Sequence, residues 1–506
     1  MATIIGIDLG TSTTLMAELN SAGQPEIIKN EEGDNLTHSA VYFEPDSTAI
    51  VGKEAKKLLG IAEEGRIFLE YKRDMHDNSI VHKIDGKTWC PRDFSAMVLK
   101  KLRLQLESLN KKADAIIITI PANFMDEARV NTILAAKDAG FDLKEDALIN
   151  EPTAAALYYI NRPNANIQGK CLVYDFGGGT FDATILDVQG DDIRVLTSNG
   201  VQHLGGKDAD NKLMEIIGRK FTAQTGAPFD AKTYLVTKWD IEDRKHSLSV
   251  RDKIEIKINS SEQGVIRIQV TRLEFEEAIS SLIAQANMAV ETALDNAKLQ
   301  TADINHVFLA GGTTRIPAVA ASVEKLIGKK PFVDNPDEAV AKGAAIYAGI
   351  KNKGLLDFGQ KRQIGQTNVT DVSPGFYGTI VRKNNDVLEN ENIIEKDTPL
   401  PAQQTRSFWR GPENSNRLQV KITQSANYTN DPDLVNIVIS DWWRDLPEVS
   451  KNSEIIVTYS YDTNGVVKCK FTDKASGKVF ERVLTAKTNS EKKLDANAGN
   501  IDDILI

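Results

Sequence analysis

Two stretches of this chain share an unusual order: apolar strand, aspartate, a turn of glycine and threonine, apolar strand. IGIDLGTSTTLMAEL spans residues 5–19 and VYDFGGGTFDATILDV residues 173–188, with Asp8 and Asp175 in equivalent places. Glycine weakens a strand, so glycines between two good strands mark a tight bend or a close approach by something else. A turn of small residues exposes consecutive backbone N–H groups, which form a nest for an anion. Threonine hydroxyls add donors, and a strand-end aspartate can hold hydrated Mg2+ beside a phosphate. Two such hairpins can clamp a polyphosphate from both sides. Either turn read alone is equally a plain tight hairpin. Their recurrence, with a third loop GGTTR at 311–315, favours a nucleotide. No Walker A sequence opens a helix, which disfavours the P-loop fold.

Strand and helix signals alternate around these hairpins as far as residue 350. AIIITIP reads as a buried strand, and Phe94–Leu109, Asp126–Ala139, Lys212–Phe221, Leu273–Leu294 and Ala339–Ile350 as helices. The architecture implied is a duplicated α/β core with a ribonuclease-H-like unit in each half, as in actin-like ATPases and sugar kinases. From about residue 371 period two predominates, in LQVKITQ, LVNIVIS, EIIVTYSYD and VVKCKFTD, with turn signals at Asp462–Gly465 and Ala475–Gly477. That pattern predicts an all-β antiparallel sandwich. The expected division is a nucleotide-binding domain at 1–355 with inserts at about 38–88 and 205–280, a linker at 356–372, the sandwich at 373–487 and a loose polar tail at 488–506.

Apolar and charged fractions of 41% and 26% are those of a folded soluble protein. A net charge of −10 argues against general binding to nucleic acid or anionic membrane. The opening MATIIGIDLG has neither the basic flank of a signal peptide nor the length of a spanning helix. Cys90, Cys171 and Cys469 are odd in number and widely spaced, which suits reduced thiols in a cytoplasmic protein.

Six motifs then resemble a known family, in order and over about 345 residues. They are GIDLGTST at 6–13, INEPTAAALYY at 149–159, DFGGGTFD at 175–182, HLGGKDADN at 203–211, LAGGTTRIP at 309–317 and NPDEAVAKGAA at 335–345. They are similar to the ATPase domain of the seventy-kilodalton heat-shock chaperones, and the later strands resemble that family's peptide-binding domain. The resemblance implies ATP or ADP and Mg2+ as cofactors, with K+ as a further cation. It places Asp8, Gly10, Thr11, Ser12, Asp175, Gly177, Gly178 and Gly179 around metal and phosphates, with Thr180 on the γ-phosphate. Lys72 falls on the family's catalytic lysine, which helps place the attacking water. Asp8, Asp175 and Glu151 would hold the metal largely through water. Gly205, Gly206, Glu242, Lys245, His246, Ser249, Gly311, Gly312, Arg315 and Asp337 would form the adenosine face. Pro121 and Arg129 match the family's relay between domains. Without the motifs, Lys72 is a solvated lysine, Pro121 a strand terminator and Arg129 an exposed helix residue.

Several features depart from the family pattern. His246 replaces a common arginine and Lys207 an acidic residue. An imidazole stacks on a base less well than a guanidinium, so altered nucleotide affinity is expected rather than lost binding. The linker IGQTNVTDV keeps only Ile364, Val369 and Val372 as apolar residues, which predicts weak docking. The loop TIVRKNNDVLENENII is charged where an apolar peptide would be covered, and the family's helical lid is not expected after the sandwich. The expected function is an ATP-dependent chaperone whose slow hydrolysis regulates binding of extended polypeptide, with J-domain and nucleotide-exchange proteins as implied partners. The alternative is a nucleotide-sensing adaptor whose sandwich binds one dedicated protein. A small-molecule kinase of the same fold explains neither NEPTAAA nor the sandwich.

Overall fold

Both glycine turns join antiparallel strands. In the computed structural model Ile4–Leu9 turns back as Thr13–Leu19, with Ile5 opposite Glu18 and Leu9 opposite Thr14. Ala115–Ile120 runs parallel on the outer side of the first strand, followed by Leu148–Asn150. The second sheet repeats this plan. Gly169–Phe176 pairs with Thr180–Gln189 across the turn, Asp192–Gln202 follows antiparallel, and His306–Ala310 runs parallel on the outer side. The structure describes residues 2–506 except 46–47, 60, 64, 144–145, 164, 261–262, 365, 384–386, 411–415, 448–452, 463–464, 485–498 and 502–503. The apex of the charged loop, the middle of the Asp462–Gly465 turn and tail residues 488–498 and 502–503 therefore lie outside the described residues.

Small residues set how closely the two halves approach. The helix Glu151–Ile160 packs on the helix Ala339–Lys351, which also covers strands Ile4–Leu9, Thr13–Leu19 and Ala115–Ile120. Ala154, Ala155, Ala341, Ala344 and Ala345 have no exposed surface. A Cβ on Gly343 would sit 1.7 Å from the Ala154 carbonyl oxygen, so only glycine fits this crossing. The alanine-rich motifs thus act through packing, and the packing brings the two turns face to face.

Two inserts rise from this base. The first carries the sheet Ala49–Val51, Ala40–Phe43, Ile67–Leu69, with Ala49–Val51 at one edge. Phe43, Phe68, Trp89 and Phe94 pack together beneath it. The second insert contains the helix Gly206–Thr225 and the hairpin Lys253–Ser260/Gly264–Thr271. It also holds helices Ala231–Lys238 and Ile241–Val250, which the periodicity does not announce. The single helix expected over 273–294 is two, Arg272–Ala278 and Ser280–Ala297, because Ile279 leaves helical geometry (φ −92°, ψ 1°). One bent residue does not disturb the apolar spacing, so the break is invisible in the pattern.

Beyond residue 371 lie two four-stranded antiparallel sheets. Tyr377, Ile393, Val420 and Ile422 of one sheet share an apolar cluster with Val457, Tyr459, Phe471 and Leu484 of the other. Strict alternation along Glu454–Tyr461 sends every second side chain into that cluster.

Two connecting segments differ from expectation. In the described part of the polar linker Phe358–Ile364 is a helix with Ile364 buried, and Asn368–Thr370 joins the second sheet parallel to Asp192–Arg194. Backbone hydrogen bonds carry much of this docking, which is why a side-chain count underestimated it. The described part of the tail is packed, with Ile501 and Ile504 inside the first apolar core.

Candidate nucleotide site

The three glycine turns meet in one place. A Cβ on Gly178 would lie 2.3 Å from Ser12 Oγ, and one on Gly179 would lie 2.6 Å from Thr11 Oγ1. The Thr11 and Ser12 side chains of the first turn therefore lie directly against the glycine backbone of the second. The third loop is tied in by Thr313 Oγ1, which donates to the Gly177 carbonyl oxygen at 2.8 Å. The amides of Gly206 and Lys207 donate to the Gly177 and Gly178 carbonyl oxygens, each at 2.9 Å, fixing the start of the helix Gly206–Thr225. A cleft of about 730 Å³ opens between them. Every site residue nominated from sequence lines it except Gly205, whose Cβ position faces the Gly178 backbone.

Carboxylates crowd the floor. Asp8, at the end of the first strand, accepts from Thr119 Oγ1 at 3.0 Å. Burial, followed by the negative charge of Glu151, pushes the Asp8 carboxyl up to about 7, against the pull of Lys72. Burial, Glu151 and Asp8 likewise raise Asp175 well above the usual carboxylate range. Lys72 is delivered by the short turn Tyr71–Asp74, and its ammonium donates to Glu151 Oε1 at 2.5 Å. One lysine does not neutralise this group. Asp175 Oδ2 on the floor, and Asp182 Oδ1 behind it and outside the cleft lining, are buried with no hydrogen-bond partner among the described residues, an arrangement that costs free energy unless a cation or donor completes it.

That deficit is the test of whether Mg2+ and a polyphosphate fit, and they do. A divalent cation would relieve the repulsion that raises Asp8 and Asp175, and the turn amides suit phosphate oxygens. Among the described residues no three His, Cys, Asp or Glu side chains are arranged to hold a metal directly. Water and phosphate oxygens would complete its shell, as is usual for Mg2+.

The upper cleft is more ionic than the motifs suggest. Lys56 Nζ reaches across from the first insert to Glu242 Oε2 at 2.6 Å, with both side chains largely buried. Burial pushes Glu242 upward, yet Lys207, Lys56 and Lys245 outweigh it and hold its carboxyl well below the usual range. Lys245 also donates to the Gly206 carbonyl oxygen at 2.9 Å and pairs with Asp210 at 2.9 Å. Arg315 is held by Asp337, with Nε 2.6 Å from Oδ2. His38 faces the cleft, and burial followed by the charge of Lys56 lowers its pKa to about 4, so the ring is neutral at pH 7.

Sequence reasoning missed several of these groups. Asp182 was legible in principle, because a hairpin closing at Gly177–Gly179 puts it directly opposite Asp175. His38 and Lys56 come from a distant insert and carry no local signal. Arg73, which pairs with Asp208 at 2.9 Å, stood next to the nominated Lys72.

A chain of side chains leads away from the floor. Arg129 donates to the Phe124 carbonyl oxygen at 2.9 Å and to Asn150 Oδ1 at 2.8 Å. Asn150 Nδ2 donates in turn to Asp371 Oδ2 in the linker at 2.8 Å. Pro121 is buried at the end of the strand Ala115–Ile120. Beside them the Tyr377 hydroxyl donates to Asp126 Oδ1 at 2.8 Å, across the boundary with the antiparallel sheets. Among the described residues no helix is long and apolar enough to cross a membrane. A family model described as Hsp70 protein matches residues 4–78 and 68–499, essentially the whole chain.

Proposed function

This chain belongs to the Hsp70 family of ATP-dependent chaperones, and on that premise we propose that it hydrolyses ATP slowly to regulate binding of extended polypeptide by its antiparallel sheets. We read the two repeated sheets as the halves of an actin-like domain and the two later sheets as a β sandwich. The observation that carries this reading is the meeting of three glycine turns over Asp8, Asp175 and the Lys72–Glu151 pair.

The division of labour follows from the geometry. The turns at Gly10–Ser12 and Gly177–Thr180 would hold the phosphates, and Asp8, Asp175 and Glu151 would hold Mg2+ through water. Mg2+ held there would supply positive charge to offset that of the phosphates. Lys72 is pinned by Glu151 over the floor, where it can orient a water and offset developing negative charge. Phosphoryl transfer asks little more of a protein than such positioning. Gly206, Lys245, His246, Ser249, Gly312 and Arg315 would flank the nucleoside. Glu242 must exchange Lys56 for the nucleoside if it is to touch it.

Docking of Asn368–Thr370 against the second sheet and the Arg129–Asn150–Asp371 chain support coupling of the nucleotide and polypeptide sites. Single-turnover ATP hydrolysis with and without an unfolded peptide tests it. Stimulation by peptide is expected; no stimulation, with no nucleotide-dependent change in peptide affinity, would sink the coupled reading. A second reading, a nucleotide-sensing adaptor with one dedicated partner, is favoured by the acidic strand Leu388–Ile394 (LENENII) beside the expected groove. A single high-affinity protein ligand together with indifference to unfolded peptides would select it.

A further inference from the structure

Residues 499–501 and 504–506 pack in a groove between the first insert and the helix Pro91–Ser108. The Gly499 amide donates to the Thr88 carbonyl oxygen at 2.9 Å. Leu505 then bridges Thr48 in parallel, and its carbonyl oxygen accepts from the Ala49 amide at 2.9 Å. Ala49–Val51 is the edge of its sheet, so the segment supplies a partner to backbone groups that an edge leaves open. Ile501 and Ile504 are only 5% and 2% exposed and belong to the first apolar core. Between them stands Lys100, whose ammonium donates to the carbonyl oxygens of Ile501 at 2.9 Å and Ile504 at 2.8 Å. Gly499 lies against the face of Trp89 so closely that a Cβ there would sit 2.4 Å from the indole ring. An edge strand, an apolar slot, a lysine directed at two carbonyls and a glycine-only contact are the parts of a receptor for a short segment in which the Ile504 amide donates to the Ile501 carbonyl oxygen at 3.2 Å and Leu505 meets the sheet edge.

We propose that residues 499–506 are a detachable intramolecular ligand, and that the groove between Ala49–Val51, Trp89 and Lys100 is its receptor. The segment links the end of the second antiparallel sheet to the insert. The last strand ends at Leu484, and an extended chain from there to Gly499 spans at most about 50 Å. While seated, the ligand therefore limits how far the antiparallel sheets travel from the first insert. It also braces the insert that carries His38, Lys56 and Lys72 to the cleft wall. Occupation in cis is favoured because the same chain supplies receptor and ligand within that reach.

Amide hydrogen exchange on the full chain tests this. The Ala49 amide is expected to be protected in the parent and to exchange at least tenfold faster in Gly499→Val. Lys100→Met, which keeps the apolar stem and removes both carbonyl contacts, carries the test should the valine disturb Trp89 more widely. Amides of the distant hairpin Lys253–Ser260 should be unchanged in both. A synthetic peptide of residues 499–506, added in excess, should restore Ala49 protection in Gly499→Val. An unprotected Ala49 amide in the parent, equal exchange in parent and both variants, or no restoration by the peptide would overturn the proposal. Protection in the parent that rises with protein concentration would overturn occupation in cis, placing the segment in a second copy.

Discussion

At the scale of single residues, the floor of the cleft is a balance of buried charges, and each can be disturbed separately. Lys72→Met removes the partner of Glu151 while leaving the turn amides intact. ATP binding is expected to survive and single-turnover hydrolysis to fall by roughly 10²–10³-fold, as when one preorganised charge or donor is deleted; unchanged turnover would refute the role given to Lys72. Asp126 offers a pH test at the domain boundary. Burial, partly offset by the hydrogen bond from Tyr377, raises its carboxyl from 3.8 to about 6. When the sheets move away the carboxyl returns to its ordinary value, so the docked form holds the proton more tightly. The resulting stabilisation is complete below about pH 4 and is lost as pH rises through about 6. Docking, followed by exchange of amides in Phe376–Arg382, should therefore tighten from pH 7 to pH 5. Asp126→Asn should abolish that slope; a slope that persists in the variant would assign it elsewhere.

At the scale of elements, the decisive contacts are those between backbones. Gly343→Val would drive a side chain into the Ala154 carbonyl, and with backbone on both sides there is little to give way. A loss of about 3 kcal/mol is expected from denaturant unfolding of this region; a midpoint matching the parent would show that the crossing relaxes. Gly178→Val should instead spare the fold and abolish nucleotide binding, because its Cβ would enter the contact with Ser12 at the mouth of the phosphate turns; calorimetric ATP titration measures this. The glycine turns were legible in the sequence because glycines between two strands state a steric purpose, whereas the crossing at Gly343 was not read there. Asp8 and Asp175 of the cleft floor were expected from their places at the strand ends before those turns, and Glu151 from the family resemblance alone; the three line one cleft. What could not be read is what depends on pairing at long range. Lys56 and Glu242 are far apart in the chain, Ile279 bends without altering periodicity, and the linker docks through groups that every residue carries.

At the scale of the whole molecule, the nucleotide cleft, the linker and the antiparallel sheets are one connected path. It runs from Glu151 and Asn150, neighbours at the start of one helix, through Asp371 to the sheets. Cutting that path without touching either end is the informative experiment. Asn368→Pro removes the amide that donates to the Asp191 carbonyl oxygen at 2.9 Å. Basal hydrolysis should continue while its response to unfolded peptide is lost; a response equal to that of the parent would show that the junction is not the route. The way this junction is made has a further consequence. A strand that adds to a sheet edge draws its affinity from main-chain hydrogen bonds, which depend on its length and register. Substitutions along Asn368–Thr370 that keep the backbone amides can therefore accumulate without prising the junction open, whereas an inserted or deleted residue would turn Val369 from the sheet's packed face toward its opposite one. The linker is free to change its spelling and bound to keep its count.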